Sequence, residues 1–276
     1  QFKDCIMNIV TVIQARISST RLPGKVLLPI LGKPLLIRMI ERVMTAKLIG
    51  TLVIATSTNS EDDQIEELCL RSNLNCYRGH LTDLLDRHYQ VAKLYNADAI
   101  VKIPSDCPLI DPHIIDKVIR FYIDNEDLDY VSNLHPATYP DGNDVEIFSF
   151  EALEHAWRDA TKDFEREHTT PFMWEHNDSF NIGNVEWETG LDLSTSLRFT
   201  IDYEEDYIFI KKVFEELYPI NPDFGLNDIL RLLEQKPEII EINHKFAGTY
   251  WYDKHLDELK NIDEYKNKKI NNSNNG

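Results

Sequence analysis

The sequence predicts an α/β protein built on a mostly parallel sheet with helices on both faces. Short runs of β-branched residues alternate with amphipathic stretches through the first half of the chain. Such an alternation is typical of parallel strands joined by right-handed helical crossovers. Several of the runs are apolar at consecutive positions, as strands covered on both faces are. The chain of 276 residues, 42% of them hydrophobic, is also large enough to bury a substantial core.

The first half of the chain contains four predicted strands and four predicted helices. The strands cover residues 8–14, 51–57, 75–79 and 98–104. The helices cover residues 35–46, 61–72, 82–95 and 111–123. Pro34 and Pro112 fit a first helical turn, whereas Ser60 and Thr82 are suited to cap the helices that follow them.

The second half of the chain has a less regular pattern. Strands are predicted at residues 129–134, 144–150 and 197–202, but the sequence between them is rich in loops and aromatic residues. We therefore expect residues 135–195 to form an inserted lobe that contains β-structure. Helices are predicted again at residues 204–218, 225–236 and 253–265. The whole forms a single predicted domain, 7–265, followed by a polar tail, 266–276, that is expected to be disordered.

The distribution of charge sets the N-terminal region apart from the rest of the chain. The formal net charge is -18, yet no acidic residue occurs from Cys5 to Ile40, where five cationic residues occur. A sequence pI near 4.9 argues against general binding to nucleic acid or to an anionic membrane, because both require an extended basic face. A local basic pocket for a small polyphosphate is compatible with this pattern.

Cysteine usage and apolar patterning predict a cytoplasmic protein. The four cysteines form no CxxC pair and have no zinc-type spacing with the histidines, which favours reduced thiols. No apolar run approaches the ~20 residues that a membrane-spanning helix needs, and the N-terminal residues lack the pattern of a secretory signal. We expect neither a membrane nor a nucleic acid as a partner.

A basic loop, residues 16–25, follows the first predicted strand and would lie at the carboxyl edge of the sheet, where open α/β folds bind ligands. Arg16 can bind phosphate oxygens with two donors, and Lys25 supplies a compact charge. Hydroxyl or amide donors are available from Ser18, Ser19 and Thr20. The alternative is an ordinary solvated loop. Neither the P-loop pattern nor the GxGxxG turn is present.

The loop resembles that of the nucleotidyltransferases that make CMP-activated sugars, the CMP-Kdo and CMP-sialic acid synthetases. The resemblance rests on Ala-Arg-x-x-Ser-Thr-Arg-Leu-Pro-Gly-Lys, residues 15–25, followed by Gly-Lys-Pro at 32–34. It is strongest for the cytidylyltransferases of spore coat polysaccharide biosynthesis. There it continues through "YRGHLTDLLDRHYQVA", "SDCPLIDPHIID", "YPDGNDVEIFSFEALEHAW", "EREHTTPF" and "LRFTIDYEEDY".

This resemblance implies a Rossmann-like nucleotidyltransferase fold and a specific reaction. A sugar, expected to be a sugar acid or a related acceptor, would attack the α-phosphorus of CTP and release pyrophosphate, in the synthesis of surface polysaccharides or glycoconjugates. The resemblance also implies Mg²⁺ as cofactor and a homodimer. The catalytic residues that it implies are Arg16, Lys25, Asp106 and Asp202.

Two aspartates are the metal ligands that the resemblance implies. Asp106 follows a predicted strand in "IVKIPSDCPLIDP", and Asp202 ends the late predicted strand in "RFTIDYEED". Mg²⁺ is usually held by one or two carboxylates together with substrate phosphates. Cys107 departs from the CMP-Kdo enzymes, which carry an acidic residue there. Asp111 and Asp206 are better suited to cap the helices that follow them.

The nucleotide would be bound by the basic loop, by the end of the third predicted strand and by the segment that follows it. The predicted nucleotide-binding residues are Ala15, Arg16, Ser18, Ser19, Arg21, Lys25, Arg78 and Asp83. The last two have a structural alternative, because Asp83 is a good helix-start residue and Arg87 lies one turn further along.

The polar segments of the predicted lobe are candidates for acceptor binding. The predicted acceptor-binding residues are Asp144, Glu146, Arg166 and His168, with Arg166 suited to a carboxylate on the acceptor. Alternatively, the lobe forms the dimer interface, for which its aromatic residues and Met173 would be suited. These are Trp157, Phe172 and Trp174.

Two further functions share some of these features. A nucleotide-sugar glycosyltransferase would use a related fold and carboxylate-bound metal, but no Asp-x-Asp follows a strand here. A non-catalytic scaffold would be expected to have lost the loop cations or the two aspartates, and all of them are present.

Overall fold

The computed structural model describes residues 7–262 of the chain. The strands are β1 (Ile9–Gln14), β2 (Pro29–Ile30), β3 (Lys33–Pro34), β4 (Thr51–Ser57), β5 (Asn75–Gly79), β6 (Ala99–Pro104), β7 (Tyr130–Ser132), β8 (Glu146–Ser149) and β9 (Ile182–Asn184). The helices are α1 (Leu35–Val43), α2 (Asp63–Arg71), α3 (Leu84–Leu94), α4 (Pro112–Ile123), α5 (Phe150–Asp159), α6 (Asp163–His168), α7 (Pro171–Glu175), α8 (Glu204–Leu217) and α9 (Leu226–Gln235). Over the range that the structure describes, no helix is both long and apolar enough to cross a bilayer.

Seven of the strands form one sheet in the order β5-β4-β1-β6-β8-β7-β9. The central strand β1 pairs in parallel with β4 and β6, and β4 pairs in parallel with β5. Strand β8 is antiparallel to both of its neighbours, β6 and β7. The prediction of a mostly parallel sheet is therefore confirmed. The remaining two strands, β2 and β3, form a short antiparallel ribbon next to the basic loop.

Alternate side chains of β1 enter two different hydrophobic clusters, one on each face of the sheet. Ile9 and Ile13 belong to the cluster that contains residues of α1, α4, α8 and α9. Val10 and Val12 belong to the cluster that contains residues of α3, α5 and α7. Because successive strand side chains point to opposite faces, this division confirms that helices cover both faces of the sheet.

Helix caps agree with the predictions at some positions and differ at others. Asp111 caps α4, accepting a hydrogen bond from His113 N at 2.8 Å, and Pro112 occupies the first turn as predicted. The predicted cap Thr82 is wrong, because Asp83 accepts the bond from Asp86 N at 2.8 Å. Ser60 begins a 3₁₀ turn, Ser60–Asp62, that leads into α2 rather than capping it.

Residues 135–195 do not form a lobe with a sheet of its own. Strands β8 and β9 from this segment belong to the main sheet, where β8 pairs with β6. Helices α5, α6 and α7, which the sequence did not predict, follow β8. Residues of α5, α6 and α7 belong to the cluster that contains α3. The insertion therefore extends the main domain.

The aromatic residues suggested for a dimer interface pack within their own chain. Met173 and Trp174 are buried, with 0% and 3% of their surfaces exposed. Trp157 stacks on Tyr89 at a centroid separation of 4.2 Å and donates a hydrogen bond to Asp86. These side chains contribute to the core, so they do not support an interface at this position.

The predicted strand at 197–202 is an extended segment that lies outside the main sheet. It forms a single bridge between Arg198 and Asp141, and Ile201 N donates to Asp106 O at 2.9 Å. The prediction of a strand was wrong, but the segment still runs beside the loop that follows β6. The predicted helix at 253–265 is replaced in its described part by a 3₁₀ turn, Trp251–Lys254, while residues 263–265 and the predicted disordered tail lie outside the described residues.

Candidate active site

A cavity of about 1080 Å³ lies at the carboxyl edge of the sheet. Its wall includes Gln14 and Ala15 at the end of β1, and Pro104, Ser105 and Asp106 at the end of β6. Ligand pockets in proteins usually measure roughly 300–1,000 Å³. The cavity is therefore large enough for more than one small molecule, at the place where parallel α/β folds bind ligands.

The basic loop is folded into a fixed shape by its own backbone and by one buried aspartate. Gly24 N donates to Ile17 O at 2.9 Å, and Gly24 adopts a left-handed conformation (φ 70°) that favours glycine. Asp62, with 1% of its surface exposed, accepts from Ile17 N at 2.7 Å and from Ser57 N at the end of β4. Sequence reasoning missed Asp62, which ties the loop to the sheet.

The two predicted metal ligands both lie within 4 Å of one lysine ammonium. The ammonium of Lys25 is 3.1 Å from Asp202 Oδ1 and 3.9 Å from Asp106 Oδ2, and it donates to Ile201 O at 2.6 Å. Arg21 also pairs with Asp202, at 2.7 Å. Burial alone would raise the pKa of Asp202, but the charges of Lys25 and Arg21 hold that pKa below its ordinary value.

Arg198 links this cluster to the buried interior. Its guanidinium is 3.1 Å from Asp202, 3.0 Å from Asp206 and 3.3 Å from Asp141, and its side chain is only 2% exposed. Burial alone would lower the pKa of Arg198, but these carboxylates raise it. Asp206 also accepts from Asp202 N and Tyr203 N, which confirms its predicted role at the start of α8. Arg198 therefore fixes the position of Asp202.

The donor set formed by Asp106 and Asp202 fits Mg²⁺. Both carboxylates line the cavity and lie within 4 Å of the same ammonium, so they converge on one point. Among residues 7–262, no third acidic, histidine or cysteine side chain completes a metal-binding group. A pair of this kind suits a metal whose remaining ligands are substrate phosphates and water.

The predicted nucleotide-binding residues fall into two groups. Ala15, Arg16, Ser19, Arg21 and Lys25 line the cavity, together with Thr20. Ser18, Arg78 and Asp83 are outside the set of described residues that line it. Arg16 is 3.9 Å from Glu167, which also lines the cavity.

Arg78, in the third predicted strand, and Asp83, after it, both have structural contacts. Arg78 pairs with Asp63 at 2.6 Å and with Glu66 at 2.8 Å on helix α2. Asp83 caps α3 and pairs with Arg166 at 2.7 Å. These contacts favour the structural alternative for both residues.

Arg87 is the cation from this region that does reach the cavity. It is 1% exposed, lines the cavity and donates to the carbonyls of His80 and Leu81, which orders the turn between β5 and α3. Burial lowers the pKa of Arg87 to about 10, which leaves it charged at neutral pH. The pairing of Arg87 with Asp83 suggested by their spacing is replaced by these carbonyl contacts.

Three of the four predicted acceptor-binding residues line the cavity. They are Asp144, Glu146 and His168, whereas Arg166 is bound to Asp83 and donates to Trp157 O at 2.6 Å. Burial, followed by the charge of Asp106, raises the pKa of Asp144 to about 7. Desolvation lowers the pKa of His168 to about 3, so this imidazole is neutral at physiological pH.

Glu146 belongs to a buried polar network in the cavity wall that sequence reasoning did not identify. It pairs with Lys102 of β6 and accepts from Tyr130 Oη at 2.6 Å and Thr170 Oγ1 at 2.5 Å. Burial would raise the pKa of Glu146, but Lys102 and the two hydroxyls lower it. Strands β6, β7 and β8 thus hold a carboxylate and an ammonium in the wall of the cavity.

Comparison with known proteins identifies the family. The family model described as "Cytidylyltransferase" matches residues 10–246. The spore coat polysaccharide biosynthesis protein SpsF of Bacillus subtilis is 30% identical over 237 residues, which cover 84% of this chain and 96% of that protein. A solved cytidylyltransferase structure from Leptospira borgpetersenii is 34% identical, with a TM-score of 0.79 over 85% of this chain and 97% of its own.

A more distant structure has the same fold. It is the CMP:2-keto-3-deoxy-manno-octonic acid synthetase complexed with CTP, which is 18% identical, with a TM-score of 0.60 over 76% of this chain and 99% of its own. The extent of the family match confirms the predicted Rossmann-like nucleotidyltransferase fold and the enzyme class. The chain belongs to the cytidylyltransferase family and is a nucleotidyltransferase.

Proposed function

We propose that the protein transfers CMP from CTP to a hydroxyl group of a sugar and releases pyrophosphate, in the synthesis of a surface polysaccharide or glycoconjugate. The observation that carries this proposal is the convergence of Lys25, Asp106 and Asp202 at the cavity wall. Family membership supports CTP as the nucleotide, and the similarity to SpsF supports the polysaccharide context.

The residues of the basic loop would bind the triphosphate. Arg16, Arg21 and Lys25 line the cavity on one side, and the donors of Ser19 and Thr20 lie between them in the chain. Phosphoryl transfer requires positioning and neutralisation of charge more than covalent chemistry from the protein. A cationic loop held in place by Asp62 meets this requirement.

Asp106 and Asp202 would hold Mg²⁺ in the proposed reaction. When bound, this cation would neutralise charge on the phosphate oxygens. In the structure, the charge of Lys25 lies within 4 Å of both carboxylates and offsets their mutual repulsion. Lys25 is therefore placed to exchange its carboxylate contacts for phosphate oxygens of the nucleotide.

The sugar would occupy the side of the cavity formed by Glu146, His168 and Asp144. The cation expected for a carboxylate-bearing acceptor, Arg166, is engaged by Asp83. Lys102 is bound to Glu146 in the same wall. For this reason we propose a sugar hydroxyl as the nucleophile, and the proposed reaction does not require the sugar to carry an acid group.

Ligand-dependent melting and pyrophosphate release test the proposal. With Mg²⁺ present, CTP should raise the melting temperature more than equal concentrations of ATP, GTP or UTP, because only a ligand that binds the folded state stabilises it. Pyrophosphate should then be released from CTP in the presence of a sugar from a panel of neutral, amino and acidic sugars. Equal stabilisation by all four nucleotides, or no release with any sugar, would contradict the proposal.

A further inference from the structure

The last part of the described chain forms a wall of the active-site cavity. The family match ends at residue 246, and residues 249–262, which we name the C-terminal strap, follow it. Trp251, Tyr252 and His255 of the strap line the same cavity as Lys25 and Asp106. The cavity wall therefore contains a segment outside the range that the family model matches.

The strap is anchored at both of its ends. At its start, Thr249 O accepts from Arg198 Nη1 at 3.3 Å, and Arg198 also holds Asp202. Near its end, Glu175 of α7 accepts from Lys260 N and Asn261 N at 2.8 Å each. Leu259 and Ile262 are 2% and 3% exposed, in the cluster that covers one face of the sheet. These contacts hold the strap in one position across the cavity.

The strap brings an aromatic surface to the acceptor side. Trp251 stacks on His168, with a centroid separation of 3.9 Å and an interplanar angle of 14°. Tyr252 is 6.1 Å from His135 and 6.2 Å from Trp174, measured between ring centroids, and all three line the cavity. His168 contributes a neutral ring, because desolvation lowers its pKa to about 3.

This surface has the chemistry that a sugar ring requires. A pyranose ring presents an apolar C–H face together with hydroxyl groups at its edge. Aromatic side chains with a few fixed polar groups are typical of pockets that bind such ligands. Glu146 and Lys102 supply the fixed polar groups in the neighbouring wall.

We propose that the C-terminal strap forms the acceptor-binding wall, in which Trp251, stacked on one face against His168, presents its cavity-lining side to the apolar face of the acceptor's sugar ring. This assignment rests on the proposed function, because it names the acceptor site of that reaction. It makes Trp251 a specificity-determining residue for the sugar and not for CTP.

Steady-state kinetics of Trp251→Leu tests the assignment, with the sugar in the panel that gives the fastest pyrophosphate release from CTP. We expect the KM for that sugar to rise about tenfold, the scale of a lost aromatic contact, while the KM for CTP stays unchanged. Trp251→Phe keeps a ring and should retain most of the sugar affinity. Glu175→Ala releases the end of the strap and should also raise only the KM for the sugar.

Trp157→Leu is the matched control. Trp157 has a similar stack, at 4.2 Å and 16° from Tyr89, but is not among the described residues that line the cavity. Its replacement should leave the KM for the sugar unchanged. The strap assignment alone would be overturned if the wild-type protein turns over the sugar but folded Trp251→Leu and Glu175→Ala show an unchanged KM for that sugar. Absence of pyrophosphate release from the wild-type protein with every sugar would overturn the proposed function and the assignment with it.

Discussion

At the scale of single residues, Lys25 has contacts that a solvated loop lysine does not have. Its side chain is 12% exposed, and its ammonium lies within 4 Å of the carboxylates of Asp106 and Asp202. We expect Lys25→Ala to lower turnover by about 10²–10³-fold, the usual scale for losing one charge-stabilising group. The melting temperature should fall only slightly, because Arg21 and Arg198 still pair with Asp202.

Pyrophosphate release and thermal melting of the same preparations measure these two effects. Lys33→Ala is the control, because Lys33 is 49% exposed, pairs with Glu41 and is not among the described residues that line the cavity. Wild-type turnover in Lys25→Ala would mean that the basic loop is only a solvated surface.

Asp106 gives a direct test of the metal assignment. Among the described residues, Asp106 forms one ion pair, the 3.9 Å contact with Lys25, so Asp106→Asn should leave the fold intact. Replacement of an ionised ligand by a neutral amide should abolish measurable turnover, because Mg²⁺ prefers charged oxygen ligands. Asp98→Asn, at the opposite end of β6, should remain active. Turnover of Asp106→Asn within about threefold of the parent at saturating Mg²⁺ would contradict the assignment.

The sequence predicted residues whose chemistry is part of a local motif, and it missed those whose partners are distant. The loop cations and both aspartates stand in recognisable patterns and line the cavity. Arg198 and Lys102 were missed, and Arg87 was considered only as a partner of Asp83, because a single charged residue does not reveal which distant carboxylate or carbonyl it will meet. For the ion pair between Arg198 and Asp202, the sequence offered one local signal, which is their spacing of four positions.

At the scale of elements, the start of α3 shows how a motif residue can serve the fold. Asp83 caps the helix and also pairs with Arg166 of α6 through two hydrogen bonds of 2.9 and 2.7 Å. We expect Asp83→Ala to lower the free energy of unfolding by about 1–2 kcal/mol through the lost cap and ion pair. The KM for CTP should stay the same.

Urea denaturation and steady-state kinetics together measure this prediction. The neighbouring Thr82→Ala, at an exposed position that is not the cap, should change neither quantity. An increased KM for CTP in Asp83→Ala with unchanged stability would restore the nucleotide-binding role that the resemblance implies.

The accuracy of the element predictions depended on local pattern strength. Strands β1, β4 and β6 were predicted because each contains a run of β-branched or apolar residues. Helices α6 and α7 were missed, because helices of 6 and 5 residues are too short to show a 3.6-residue periodicity. Residues 197–202 have the composition of a strand, but hydrogen bonds to the loops at Asp106 and Asp141 hold them outside the main sheet.

At the scale of the whole molecule, charge and burial determine how the protein responds to pH. Three histidines are buried or enclosed: the pKa of His88 and of His168 is lowered to about 3, and that of His135 to about 4. Each lowered pKa has desolvation as its largest cause. A homodimer stays a prediction from the resemblance, since the aromatic residues suggested for its interface lie in the core or pack against it.

Of the three histidines with a lowered pKa, His88 allows the most direct test. It is 0% exposed, its Nδ1 is 2.7 Å from Leu84 O, and its Nε2 has no hydrogen-bond partner among the described residues. Burial lowers its pKa first, and the charges of Lys102 and Arg87 lower it further. Protonation would therefore place a charge in the desolvated core, near the cations Lys102 and Arg87.

The sign of the pH effect follows from this pKa. Below about pH 6.5 the unfolded chain binds a proton at His88, but the folded protein does not bind it until pH falls to about 3. The neutral imidazole therefore contributes stability that is present above pH 6.5 and is lost as the pH falls toward 3. Between pH 7 and pH 5, this one group should lower the free energy of unfolding by about 2 kcal/mol.

Comparison with His88→Gln isolates this contribution, because His135, His168 and the carboxylates titrate in both proteins and cancel in the difference. We expect the glutamine variant to be less stable than the wild type at pH 7, since its side chain replaces a packed ring. That deficit should shrink by about 2 kcal/mol as the pH falls to 5, because glutamine does not take up a proton. Urea denaturation at half-unit pH steps measures the difference. Two stability curves that stay parallel from pH 7 to pH 5 would show that His88 titrates normally in the folded protein, and that its surroundings admit water.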